Sequence, residues 1–154
     1  MNRMIPAALL IVCSLLLIPV AAETRSFALD DIQEVIPGPN AVHPREMPVG
    51  SMHGLARVEF ALAYVNDDLQ FYATVYDSPD YAITFSVSAR LYHSDDQLIG
   101  YFGQSPRIQV PAASSLFPMG GDFYTPEGGV ERLTKFDLEN LKRLRLEVTW
   151  VESN

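Results

Sequence analysis

The chain has 154 residues, 48% of them hydrophobic, and a formal charge of −8 at pH 7 from 19 acidic and 11 basic side chains. A negative surface of that kind repels phosphate backbones and anionic lipid headgroups, which argues against nucleic acid as a partner; solubility is the ordinary use of such a charge. The only cysteine is Cys13.

Residues 1–22 read as a cleaved secretory signal, with Arg3 in a positive n-region, an apolar stretch over residues 5–20 and the small residues Ala21 and Ala22 at the cleavage site. The apolar stretch is short for a membrane span, and Pro6 and Pro19 bracket it. Cleavage after Ala22 would leave 132 residues starting at Glu23, with a charge of −9, because Arg3 departs and every acidic residue stays. That length suffices for one domain with its own core. A lipid anchor on Cys13 is disfavoured, since Val12 precedes it where a small residue is wanted and most of the apolar run follows it. Without Cys13 the mature chain has no thiolate ligand, thiol nucleophile or disulfide, so burial and hydrogen bonds must hold it together. The expected location is the bacterial periplasm or the exterior, with no stable membrane insertion after cleavage.

Residues 23–54 read as an N-terminal arm and a Pro-rich connector. Asp30 or Asp31 could cap a brief helical turn through Ile32, Val35 and Ile36, although Phe27, Ala28 and Leu29 fit a short strand equally well. Pro37, Pro39, Pro44 and Pro48 forbid a helix and disfavour a central strand, so residues 37–54 are expected to be extended and semi-rigid.

The folded body is expected over residues 55–154. Val58, Phe60, Leu62 and Tyr64 alternate with Arg57, Glu59, Ala61 and Ala63, the period of two of a half-buried strand. A turn at Asn66, Asp67 and Asp68 leads into a returning strand with Leu69, Phe71, Ala73 and Val75 on one face and Gln70, Tyr72, Thr74 and Tyr76 on the other. After a turn at residues 77–80, Tyr81, Ile83, Phe85, Val87, Ala89 and Leu91 alternate with Thr84, Ser86, Ser88 and Arg90. A helix would smear that pattern around its circumference, whereas a strand turns it inward. His93 to Asp96 makes the next hairpin turn, followed by residues 97–103 and 107–110. Residues 111–129 read as irregular, and residues 133–142 as holding one short helical turn. Leu144, Leu146, Val148 and Trp150 then alternate with Arg145, Glu147 and Thr149 in a terminal strand. The pattern predicts an all-β antiparallel sandwich of immunoglobulin-like architecture with about six to seven strands.

Three groups of residues could carry chemistry. His43, Met47, Met52 and His53 supply the imidazole and thioether ligands that suit copper(I), the alternative being a loop that packs its methionines on the sandwich. The aspartates of the three turns suggest calcium only if the turns cluster, and aspartate is an ordinary turn residue. Leu116, Phe117, Met119, Phe123 and Tyr124 concentrate large apolar groups among glycines and prolines. Such a loop either closes over the core or presents aromatics to a partner. Tyr72 and Tyr76 share one side of their strand, with Thr74 between them, and could form a second platform.

No serine stands in a G-x-S-x-G context, and nothing in the sequence orients His93. The expected function is therefore non-catalytic: an exported module without a cofactor that binds another envelope or secreted protein, or a surface polysaccharide. The expected contacts are Phe117, Met119, Phe123 and Tyr124, then Tyr72 and Tyr76; a copper-binding role for the His/Met loop is the alternative.

Overall fold

The computed structural model describes residues 22–30, 46–103, 107–127, 129–138, 141 and 143–154. Residues 1–21 of the expected signal segment and the expected turn through Ile32, Val35 and Ile36 lie outside the described residues, as does His43. Two antiparallel sheets pack face to face. Strands β1 (Ala22–Leu29), β9 (Leu144–Ser153), β5 (Ile83–His93) and β6 (Leu98–Phe102) form one sheet in the order β1-β9-β5-β6, and β7 (Ile108–Val110) pairs with the start of β5. The other sheet has the order β2-β3-β4-β8, from β2 (Glu46–His53), β3 (Arg57–Val65), β4 (Asp68–Tyr76) and β8 (Leu116–Asp122). The all-β antiparallel sandwich is thus the architecture of the chain.

The alternating segments behave as their periodicity requires. Val58, Phe60, Leu62 and Tyr64 of β3, Leu69, Phe71, Ala73 and Val75 of β4, and Ile83, Phe85, Val87, Ala89 and Leu91 of β5 are all buried. Leu144, Leu146, Val148 and Trp150 of β9 join them in one core between the sheets. Phe60 lies 5.9 Å from Phe71 and 6.0 Å from Trp150, centroid to centroid, so an aromatic column crosses from sheet to sheet. Tyr81 departs from the pattern: it precedes β5 and is 47% exposed.

The turns have the chemistry that hairpins need. Asn66 and Asp67, between β3 and β4, have φ of 54° and 70°, both in the left-handed region of a two-residue type I′ turn. That turn sets the register in which Phe60 faces Ala73 and Tyr64 faces Leu69. At the other end of β4, the Ser78 hydroxyl donates to the Pro111 carbonyl at 2.9 Å and accepts the Ser114 amide at 2.7 Å. This ties the β4–β5 turn to the segment that enters β8. Helix α1 (Lys135–Leu138) is the single turn expected near residue 137, and the Asp137 carboxylate accepts both the Thr134 amide (2.7 Å) and the Thr134 hydroxyl (2.8 Å).

Two proline-bearing stretches differ from expectation. The second half of the expected connector is β2, an edge strand whose register slips between Pro48 and Gly50. An edge position tolerates a residue without an N–H, and the bulge absorbs the mismatch. Within residues 111–129, expected to be irregular, residues 116–122 form β8, again at a sheet edge. Further upstream, Phe27, Ala28 and Leu29 take the strand alternative, as part of β1.

Candidate functional site

The outer face of the β2-β3-β4-β8 sheet follows from the registers. His53, Arg57, Tyr76 and Leu116 form one row across the four strands; Ser51, Glu59, Thr74 and Pro118 form the next; Pro48, Ala61, Tyr72 and Gly120 form a third. Tyr72 and Tyr76 thus stand on the outer side of β4, as their spacing requires, and both are half-buried.

Each tyrosine is held by its neighbours. The Arg57 guanidinium lies over the Tyr76 ring, 4.6 Å from its centroid, and is itself oriented by Glu59 at 3.0 Å. Tyr72 leans across β8: a Cβ on Gly120 would lie 2.9 Å from its Cδ1. Its hydroxyl donates to Gln70 Oε1, and Gln70 Nε2 donates to Asp122 at 2.6 Å. Arg132 then bridges Asp122 (3.1 Å) and Asp68 (2.9 Å) and anchors this border of the face. Between Tyr76 and the bulge of β2 runs a shallow groove of about 360 Å³, whose lining includes the small side chains of Ser51, Ala61 and Thr74 together with Glu59. Leu116, at the rim beside Tyr76, is 57% exposed.

The aromatic loop is distributed differently from the sequence expectation. Phe117 and Met119 pair with Val75 and Ala73, so the alternation of β8 turns them toward the core; Met119 is buried and Phe117 packs against it. Phe123 is fully buried, 6.3 Å from Phe71. Met119 and Phe123 thus belong to the core and Phe117 is partly buried against it, so of the two alternatives for this loop these three side chains take the inward one. Tyr124 is half-buried and exchanges backbone hydrogen bonds with Tyr101, which knits β6 to the segment after β8. The outward residue that sequence reasoning missed is Leu116. The alternation from Leu116 to Gly120 was its signal, hidden by Pro118 and the paired glycines.

The described members of the His/Met group, Met47, Met52 and His53, do not converge. Met47 and Met52 both face inward from β2, opposite Leu62 and Val58, and Met52 is buried in the core. They stand five steps apart along the strand, roughly 15 Å. His53 lies on the opposite face and is exposed. Among the described residues no three His, Cys, Asp or Glu side chains are placed to hold a metal ion. The three acidic turns do not all lie at one end of the sandwich either, since Asp68 begins β4 and Asp77 follows its far end.

His93 has the orienting partner that the sequence did not reveal: its Nδ1 lies 3.1 Å from Asp95 Oδ1. The same carboxylate oxygen accepts the Gln97 amide at 3.1 Å. The Gln97 amide, then the His93 ring, holds the Asp95 carboxyl below its ordinary value. The pair shapes the β5–β6 turn as an Asx-type cap. It borders a second concavity of about 470 Å³ whose lining includes Ile99, Thr125, Glu131 and Leu133. No family model and no curated protein matches the chain.

Proposed function

We propose that the chain is a non-catalytic, exported binding module that engages another envelope or secreted protein through the outer face of the β2-β3-β4-β8 sheet. The observation that carries this reading is the row Arg57, Tyr76 and Leu116, in which an exposed leucine adjoins a tyrosine capped by a guanidinium. Tyrosine and arginine are the side chains that most often dominate protein contacts, because each combines a broad, stiff surface with a polar end. The sheet beneath them is rigid, so little ordering entropy opposes association. A surface polysaccharide is the second reading. The small-residue groove between Tyr76 and Pro48 favours it, because Glu59 and Ser51 could accept or donate to neutral sugar hydroxyls there.

The test is a pull-down from envelope extract with the wild type beside a Tyr76→Ala, Leu116→Ser variant. Both residues point outward, so the variant should keep the wild-type circular dichroism spectrum. It should recover the partner at least about tenfold less well, the loss of one anchor of 1.4 kcal/mol or more. Equal recovery would overturn the proposed face. Displacement of the bound material by soluble polysaccharide, with no protein captured, would select the second reading.

A further inference from the structure

Glu152, near the end of β9, is a half-buried carboxylate that joins the two sheets. Its Oε2 accepts the Leu55 amide at 2.9 Å, in the turn between β2 and β3, and the carboxylate sits where a side chain on Gly54 would otherwise stand. Its Oε1 is buried and has no hydrogen-bond partner. A desolvated carboxylate oxygen left unsatisfied is costly, and a cation is the partner that relieves it best. Burial, reinforced by the Glu23 carboxylate, raises the Glu152 pKa, while the Leu55 and Ala56 amides pull it back.

The start of β1 lies beside this group. Ala22 pairs with Val151 and Glu23 with Trp150, so the nitrogen end of Glu23 points along β9 toward residue 152. Trp150 faces the core, and Glu152, two residues further on, shares its face. Diagonal neighbours across an antiparallel pair lie about 7–8 Å apart at Cα, a span that a glutamate side chain and a terminal amine bridge together. In the uncleaved chain the nitrogen of Glu23 is a neutral amide. Hydrolysis of the Ala22–Glu23 bond adds one water: the signal leaves with the Ala22 carboxylate, and Glu23 keeps an amine that takes up a proton at neutral pH.

We infer that the α-ammonium of Glu23 is the ligand of the Glu152 carboxylate, so that removal of the signal supplies the ion pair that fastens β1 and β9 to the β2–β3 turn. The inference rests on cleavage after Ala22, and the two are tested apart. Intact mass of the exported protein reads the cleavage: Glu23 at the N-terminus is required, and any other first residue overturns the inference together with the cleavage reading.

The pairing is read by NMR titration of the α-amine in the folded chain beginning at Glu23. It should titrate about one unit above its ordinary range and return to that range in Glu152→Gln, which keeps an acceptor for the Leu55 amide. A companion chain retaining Ala21 and Ala22 before Glu23 should unfold at lower urea than the mature chain, with the difference abolished by Glu152→Gln. An α-amine in its ordinary range in the folded wild type would overturn the pairing. So would equal urea midpoints for the mature and extended wild-type chains. Should Glu152→Gln fail to fold, the wild-type titration decides alone.

Discussion

Among single residues, Gly120 has the largest consequence for the outer face. Its lack of a side chain lets the Tyr72 ring lie across β8, and a Cβ there would meet the Phe71 carbonyl oxygen as well as the ring. Backbone cannot yield as a flexible side chain can, so even alanine must displace β8 from β4. Gly120→Ala should destabilise the fold by about 1–3 kcal/mol, the usual cost of overpacking, and swing Tyr72 away from the strand. Urea unfolding measures the first effect, and the environment of the Tyr72 ring in aromatic NMR spectra measures the second. An unchanged urea midpoint would show that the two strands have room between them. Leu116 presents the opposite case, a large apolar side chain that the fold does not use.

At the scale of elements, legibility followed alternation. β3, β4, β5 and β9 each bury one face and expose the other, so apolar residues at every second position announce both the strand and its orientation. β2 and β8 do the same, but Pro48, Pro118, Gly120 and Gly121 interrupt them. Those residues are compatible with strand only at an edge, and edge position is a property of the whole sheet, invisible in a local window. The candidate site divided along the same line. Tyr72 and Tyr76 share one side of β4 because that strand is regular, whereas the inward turn of Phe117 and Met119 depends on β8, whose alternation Pro118 and the paired glycines obscure. The partnership of His93 with Asp95 depends on the turn conformation rather than on spacing. The turn between β3 and β4 offers a direct test of how such local geometry holds an element: Asn66→Val places a β-branched residue at a φ of 54°. The expected loss is about 1–2 kcal/mol in urea unfolding, with slower formation of the hairpin. A value near zero would mean that packing, and not the turn, fixes the register.

For the molecule as a whole, the two sheets are closed on each other unequally. On one side the β1 and β2 edges approach through the Phe27 ring, which fills the space over Gly50, and through Arg25, which donates to the Ser51 carbonyl at 3.3 Å. On the other, the chain from Phe123 to Leu133 crosses between the sheets: the Phe123 amide donates to the Leu69 carbonyl, Tyr101 and Tyr124 exchange hydrogen bonds, and the Leu69 amide donates to the Leu133 carbonyl. The first closure depends on one exposed edge strand whose ladder partner is β9. Deleting residues 23–29 from a chain that begins at Glu23 should lower stability by at least about 1.5–3 kcal/mol, the burial of Leu29 alone, and leave β9 as a bare edge. Urea unfolding and size-exclusion chromatography would register a lower midpoint and self-association. A monomer of unchanged stability would show that β1 is an accessory.

The position of β9 also sets the order in which the chain can assemble. The β3–β4 hairpin needs only its own turn, but the sheet containing β1 is built around a strand that follows it at great distance, as in the hydrogen bond between Thr24 and Thr149, 125 residues apart. A chain emerging N-terminus first therefore carries β1 and β5 without the strand that lies between them. Half of the sandwich, including the core position that Trp150 fills, stays incomplete until β9 arrives. Closing so long a loop is slow relative to local pairing. A polypeptide with that dependence becomes compact only once its last strand is available.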